Sequence, residues 1–142
     1  MATLAKDAPR AYEAGIEPVH NDLPIIASDI IYEGAAVGDN GSGYARPFVV
    51  SDPFWGFAAA KCDNSASAVA GAKNVHVVGK GVVRLTVTGA SSVADIGLAV
   101  YATDDATFTL TASGATQIGK VLRWVTSTTC IVYFESAMLR SV

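Results

Sequence analysis

Four glycines constrain this chain more than any other residues. Gly97 follows Gly34, and Gly119 follows Gly56, by the same 63 positions. Each opens a short apolar run: Gly34-Ala35-Ala36-Val37 against Gly97-Leu98-Ala99-Val100, and Gly56-Phe57-Ala58 against Gly119-Lys120-Val121. Between the members of each pair lies a polar turn, Asp39-Asn40-Gly41 in the first case and Asp104-Asp105 in the second. Glycine recurs where backbone must adopt positive φ or approach another strand closely. Two matched landmarks at one offset imply a doubled strand-turn-strand unit, with the rest of the chain connecting or extending the two copies.

The intervening segments read as strands. Residues 23–32 are rich in isoleucine and bend at Ala27-Ser28-Asp29. Asp39-Asn40-Gly41-Ser42-Gly43 is the strongest turn signal, and residues 44–50 follow as a strand that Pro47 marks as an edge or bulge. Residues 54–60 form an aromatic strand, and residues 63–71 a loop of small residues. In residues 82–88, Val83, Leu85 and Val87 alternate with Arg84, Thr86 and Thr88, the period of a half-buried strand. Gly79-Lys80-Gly81 is expected to link that strand to residues 73–78. One helical turn is allowed before Asp95. Strands are expected again at 98–102, 107–111, 117–125 and 129–134. No window supports a helix of three turns. Many short strands with frequent turns predict an all-β fold, a small β-barrel or β-sandwich built from two related units that close one shared core.

Residues 1–22 differ from the rest. They carry six charged residues and two prolines, and their apolar residues follow neither a strand nor a helix period. They read as an extended N-terminal arm, against the alternative of a disordered tail, with residues 23–142 as the β domain. Tyr12, Ile16 and Val19 offer the arm side chains worth burying on a neighbouring subunit. In the aromatic strand, alternation places Trp55 and Phe57 on one face, as core, and Phe54 on the other, as a candidate contact.

Charge and composition narrow the function. Charged residues make up only 16% of the 142 and hydrophobic ones 51%, so the chain is expected to bury further surface in an assembly. A net charge of −3 with scattered basic residues argues against nucleic acid, whose phosphates call for clustered Lys and Arg. No secretory leader and no apolar run of membrane-spanning length is visible, which predicts a cytoplasmic product without a membrane partner. Cys62 and Cys130 are then expected as reduced thiols.

A search for chemistry returns no constellation. His20 and His76 are the only histidines and are far apart in sequence. Neither cysteine has metal-ligand spacing, and Gly79-Lys80-Gly81 lacks the pattern of a phosphate loop. The acidic turns do not reproduce a calcium loop and are read as Asp and Asn bonding their own backbone. Asn40-Gly41-Ser42 matches a glycosylation sequon by chance. The expectation is no enzyme, no cofactor and no metal.

The order Gly34-Ala35-Ala36-Val37, turn, Gly43-Tyr44-Ala45-Arg46-Pro47, Gly56-Phe57-Ala58 and the valine-rich residues 75–78 resembles the capsid decoration (cement) proteins of tailed bacteriophages. Residues 83–88 and 100–105 extend the likeness, which covers about residues 23–134. It implies a β protein on the outer surface of the virion capsid that clamps adjacent major capsid protein subunits and stabilises the expanded head. It further implies a homo-oligomer, commonly a trimer, and offers no catalytic residues. The alternative is a carbohydrate- or receptor-binding β-module displayed on a virion, using Phe54 or the turn near Tyr44.

Overall fold

A computed structural model describes residues 3–13 and 18–139 of the chain. In order, the strands are β1 (Ala11–Tyr12), β2 (Val19–Pro24), β3 (Ile30–Ile31), β4 (Ala36–Asp39), β5 (Ala45–Pro47) and β6 (Phe54–Ala58). There follow β7 (Cys62–Asp63), β8 (Asn74–Thr88), a single 3₁₀ turn (Val93–Asp95), β9 (Ala99–Ala102), β10 (Phe108–Thr109), β11 (Thr116–Thr126) and β12 (Thr129–Glu135). Ser92 and Asp95 cap the 3₁₀ turn reciprocally. The chain is all-β, as its sequence predicts, and no α-helix occurs among the described residues.

Strands β8, β10, β9, β11 and β12 close into a small five-stranded barrel, with β10 running parallel to the end of β8 at Phe108–Val87. Strands β2, β4, β5 and β6, with the first half of β8, repeat this plan. Val37 pairs with Gly56 as Val100 pairs with Gly119, and Gly38 with Phe54 as Tyr101 with Gln117. The bulges therefore fall on equivalent residues, Trp55 and Ile118. Asp39 pairs with Ala45 as Ala102 pairs with Phe108. β2 lies on the first half of β8 as the second half of β8 lies on β12: Leu23–Val75 answers to Leu85–Cys130, and Asn21–Val77 to Val83–Val132. Even the parallel closure has its counterpart, a bridge between Ile25 and Ala45.

The glycines explain why this register is held. Gly34 and Gly97 both sit at positive φ, 88° and 89°. Both donate backbone N–H bonds of 2.8 Å to equivalent carbonyls, Ala58 and Val121. At the bulges, a Cβ on Gly56 would lie 2.3 Å from the Val78 oxygen, and one on Gly119 would lie 1.8 Å from the Tyr133 oxygen. No other residue fits under a neighbouring strand at those distances.

The two units have separate cores. In the first, Leu23, Ile25, Val37, Trp55, Val75 and Val77 are buried together. In the second, Leu85, Val87, Val100, Ile118, Cys130 and Val132 occupy the equivalent places. Sizes compensate: Ala45 and Trp55 in one unit answer to Phe108 and Ile118 in the other, which conserves filled volume. The outer face of the first unit is also buried. Phe54 and Phe57 join the second core through edge contacts with Phe134, at centroid separations of 6.4 and 4.9 Å. Their counterparts in the second unit are Gln117 and Lys120.

Three sequence expectations are corrected. Gly79-Lys80-Gly81 does not separate two strands, because β8 runs unbroken through it and passes from one unit to the other. Gly79 there leaves room for Leu139 and Ser136, and Gly81 lies under the Phe134 ring. The parity that split Phe57 from Phe54 fails because the bulge at Trp55 resets the alternation, so Phe54 and Phe57 share a face. The two halves do not share one core but keep one each.

Candidate interaction surfaces

The arm lies along the chain's own body. The Thr3 N–H donates to Asp105 Oδ1 at 3.0 Å, and the Thr3 hydroxyl also donates to Asp105. Ala8 N–H donates to the Glu33 carbonyl at 2.7 Å, and Arg10 Nε to the Gly34 carbonyl at 2.7 Å. The Arg10 guanidinium lies over both Phe57 and Phe108, 5.5 and 5.3 Å from the ring centroids, and so bridges the units. β1 pairs with β8 through Tyr12–Val83, and Glu13 holds Arg123 with both carboxylate oxygens, at 3.0 and 3.1 Å. Burial pushes the Tyr12 phenol up to about 12. Asp105 is 1% exposed, and its Oδ2 has no hydrogen-bond partner among the described residues; the Arg10 guanidinium supplies an opposite charge nearby.

The four contact candidates separate accordingly. Tyr12 and Val19 are each 39% exposed, so they hold the body on one side and face outward on the other. Ile16 lies outside the described residues. Phe54 is 1% exposed, and its partners belong to its own chain: it seals the two units together and offers nothing to a neighbour. With Trp55 and Phe57 also buried, the aromatic stacking platform of the carbohydrate-binding alternative is absent from that strand. The arm's expected boundary after residue 22 falls inside β2, which continues to Pro24.

The two histidines, distant in sequence, meet across β2 and β8. Asp22 Oδ1 lies 2.7 Å from His76 Nδ1, and His76 Nε2 lies 3.0 Å from His20 Nδ1, with the rings stacked. With a proton on Nδ1 facing the carboxylate, the Nε2 of a neutral His76 ring accepts from His20 Nδ1. The sequence carried no sign of this, because only strand register brings the three residues together. Among the described residues, no group of three or more His, Cys, Asp or Glu side chains is placed to hold a metal. The acidic turns bond their own backbone: Asp39 accepts from Gly41 and Gly43, Asn40 from Ser42 and Tyr44, and Asp104 from Ala106.

Two apolar patches remain outside. On the second unit, Val93, Ile96, Leu98 and Leu122 are 66, 49, 46 and 47% exposed, around the 3₁₀ turn and the start of β9. Next to them, on the outer face of β11 and β12, is a groove of about 440 Å3 lined by Gln117, Gly119, Lys120, Tyr133 and Glu135. On the first unit, Val19, Met138 and Leu139 are partly exposed beside Trp55 and line a recess of about 60 Å3. Both cysteines are free and buried, and burial raises both thiols above their usual range. No helix among the described residues is long and apolar enough to cross a membrane. Neither a protein-family model nor a curated protein sequence matches this chain.

Proposed function

We propose that the chain is a structural protein of a tailed-bacteriophage virion, binding the outer surface of the expanded capsid and tying adjacent major capsid protein subunits together. The observation that carries this reading is the pair of apolar patches left on the outside of a fold whose two cores are already complete. Aliphatic side chains that no internal packing requires are suited to burial against neighbouring subunits. The glycine-and-valine plan that resembles decoration proteins supports the same reading, since its register is repeated throughout both units.

The mechanism is linkage. A protein that binds the assembled lattice and not its separated subunits raises the free energy of taking the lattice apart. Many copies on one shell compound modest individual affinities. On this reading the chain acts as a homo-oligomer, with a trimer favoured. The outward sides of Tyr12 and Val19, together with the exposed patches, contribute contacts to neighbouring copies or to the shell. Mixing the purified protein with empty expanded heads tests the reading. Saturable co-sedimentation and a higher disruption temperature are expected. Failure to co-sediment at micromolar concentration would overturn it.

A further inference from the structure

The duplication gives the second unit a copy of the ledge on which the arm docks in the first unit, and no described residue covers that copy. In the first unit the ledge is Glu33-Gly34-Ala35. Ala8 lies so close over Gly34 that a Cβ there would come within 1.7 Å of the Ala8 carbonyl oxygen. Ala35 beneath it is fully buried. The equivalent residues are Ile96-Gly97-Leu98. Gly97 has the same positive φ, yet among the described residues a Cβ on it would meet nothing within 4 Å. Ile96 and Leu98 are nearly half exposed, and Val93 and Leu122 flank them. The backbone is shaped alike in both places, but among the described residues only one carries a strap.

We propose that Ile96-Gly97-Leu98 and the adjoining groove at Lys120 dock an extended segment of a partner protein that carries a carboxylate where the arm carries Arg10. The first unit shows how such a segment is held. A backbone N–H donates to the first ledge carbonyl, as Ala8 does to Glu33, and two residues later a side chain lies over the outer face of the sheet. In the first unit that side chain is Arg10 over the Phe57 ring. In the second unit the residue at the place of Phe57 is Lys120, exposed and without an ion pair among the described residues. An arginine brought there meets a like charge, and a carboxylate meets an opposite one. Glu135 also lines the groove, but it accepts from the Tyr133 hydroxyl at 2.8 Å and lies 4.0 Å from Lys80. The charge of Lys120 therefore selects against the arm of a second copy. The exposed aliphatic side chains around Gly97 call for small or apolar residues ahead of the carboxylate. This inference holds whether or not the partner belongs to a capsid.

Two synthetic peptides test it on the full-length protein: residues 3–13 as they stand, and the same peptide with Arg10→Glu. The Arg10→Glu peptide should bind at least about tenfold tighter, with amide shifts at Ile96, Gly97, Leu98 and Lys120. A Lys120→Glu protein should reverse the preference. Equal or tighter binding of the unaltered peptide would overturn the proposal and point to a second copy as occupant. Shifts confined to Glu33–Ala35, or no binding of either peptide at millimolar concentration, would overturn it as well. None of these readouts involves capsids, so they stand or fall apart from the proposed function.

Discussion

Replacing Gly34 and Gly97 one at a time with alanine uses the duplication as its own control. Both glycines lie at φ near +90°, so both variants carry the left-handed strain of a side chain, roughly 1–2 kcal/mol. At Gly97 no described residue lies within 4 Å of the new methyl group, and strain is the whole effect. At Gly34 the methyl group would overlap the backbone of Ala8, which is not the far end of a flexible side chain and must move away. The arm then loses the Ala8 bond to the Glu33 carbonyl and the Arg10 bond to the Gly34 carbonyl. A neutral bond contributes about 1 kcal/mol and a charged one about 1.5–3, so Gly34→Ala should be worse than Gly97→Ala by about 2.5–4 kcal/mol. With a urea slope of about 1–3 kcal/mol per molar, the midpoints should differ by about 1 M or more. Hydrogen exchange of the Ala8 amide should accelerate in Gly34→Ala and stay unchanged in Gly97→Ala. Coincident midpoints for the two variants would refute the claim that the arm is held at Gly34.

A second matched pair tests the seal between units. Phe57→Ala should cost about 3–5 kcal/mol as a core truncation, whereas Lys120→Ala at the equivalent exposed site should change stability by no more than about 0.5 kcal/mol, both read by denaturant titration. Asp52 is 6% exposed, holds Arg46 by two bonds of 2.7 and 3.0 Å and accepts the Val49 N–H. Asp52→Ala should therefore destabilise by about 2 kcal/mol, below the value for a fully buried pair because Arg46 is partly exposed; a change under about 0.5 kcal/mol would contradict this. Burial of the Tyr12 phenol raises it to about 12, so the folded chain holds that proton more tightly than the unfolded chain. The resulting stability is fully present below pH about 10 and is lost as pH rises toward 12. Tyr133 is raised as well, by burial and by Glu135, so the quantity to read is the difference between wild type and Tyr12→Phe in melts from pH 9 to 12. The variant should lose less stability across that window, and identical slopes would exclude Tyr12 as a source.

The doubling was legible because glycine is the one residue whose placement is dictated by backbone geometry alone. Gly34, Gly56, Gly97 and Gly119 mark the openings of matched strands at one offset, whereas the two bulges beside Gly56 and Gly119 show only in the register. The flanking strands of the repeat were not legible. They are offset by 62 residues from β2 to β8 and by 55 from β8 to β12, and they carry valines and threonines that satisfy any strand. In sequence β8 reads as two strands because glycines signal a turn, whereas here they make room for Ser136, Leu139 and Phe134. Strict alternation puts Phe54 on the wrong side because one bulged residue inverts parity, and no residue type announces a bulge unambiguously. The apolar patch at Val93–Leu98 looked like ordinary strand and turn sequence. Its meaning came only from comparison with the strapped ledge at Gly34. His20 and His76 met through register, which depends on every residue between them.

β8 spans both units, one half to each ring. Removing it would leave two incomplete rings, and cutting the chain anywhere within it would open both at once. Heat or denaturant should therefore meet one cooperative transition instead of two, although the chain carries two cores that look separable. The same strand also carries load. A pull applied to one unit reaches the other along a continuous peptide backbone, and yielding requires shearing β2 or β12 away from β8 along several hydrogen bonds together. A body of this kind resists being drawn apart end to end far better than two domains on a linker.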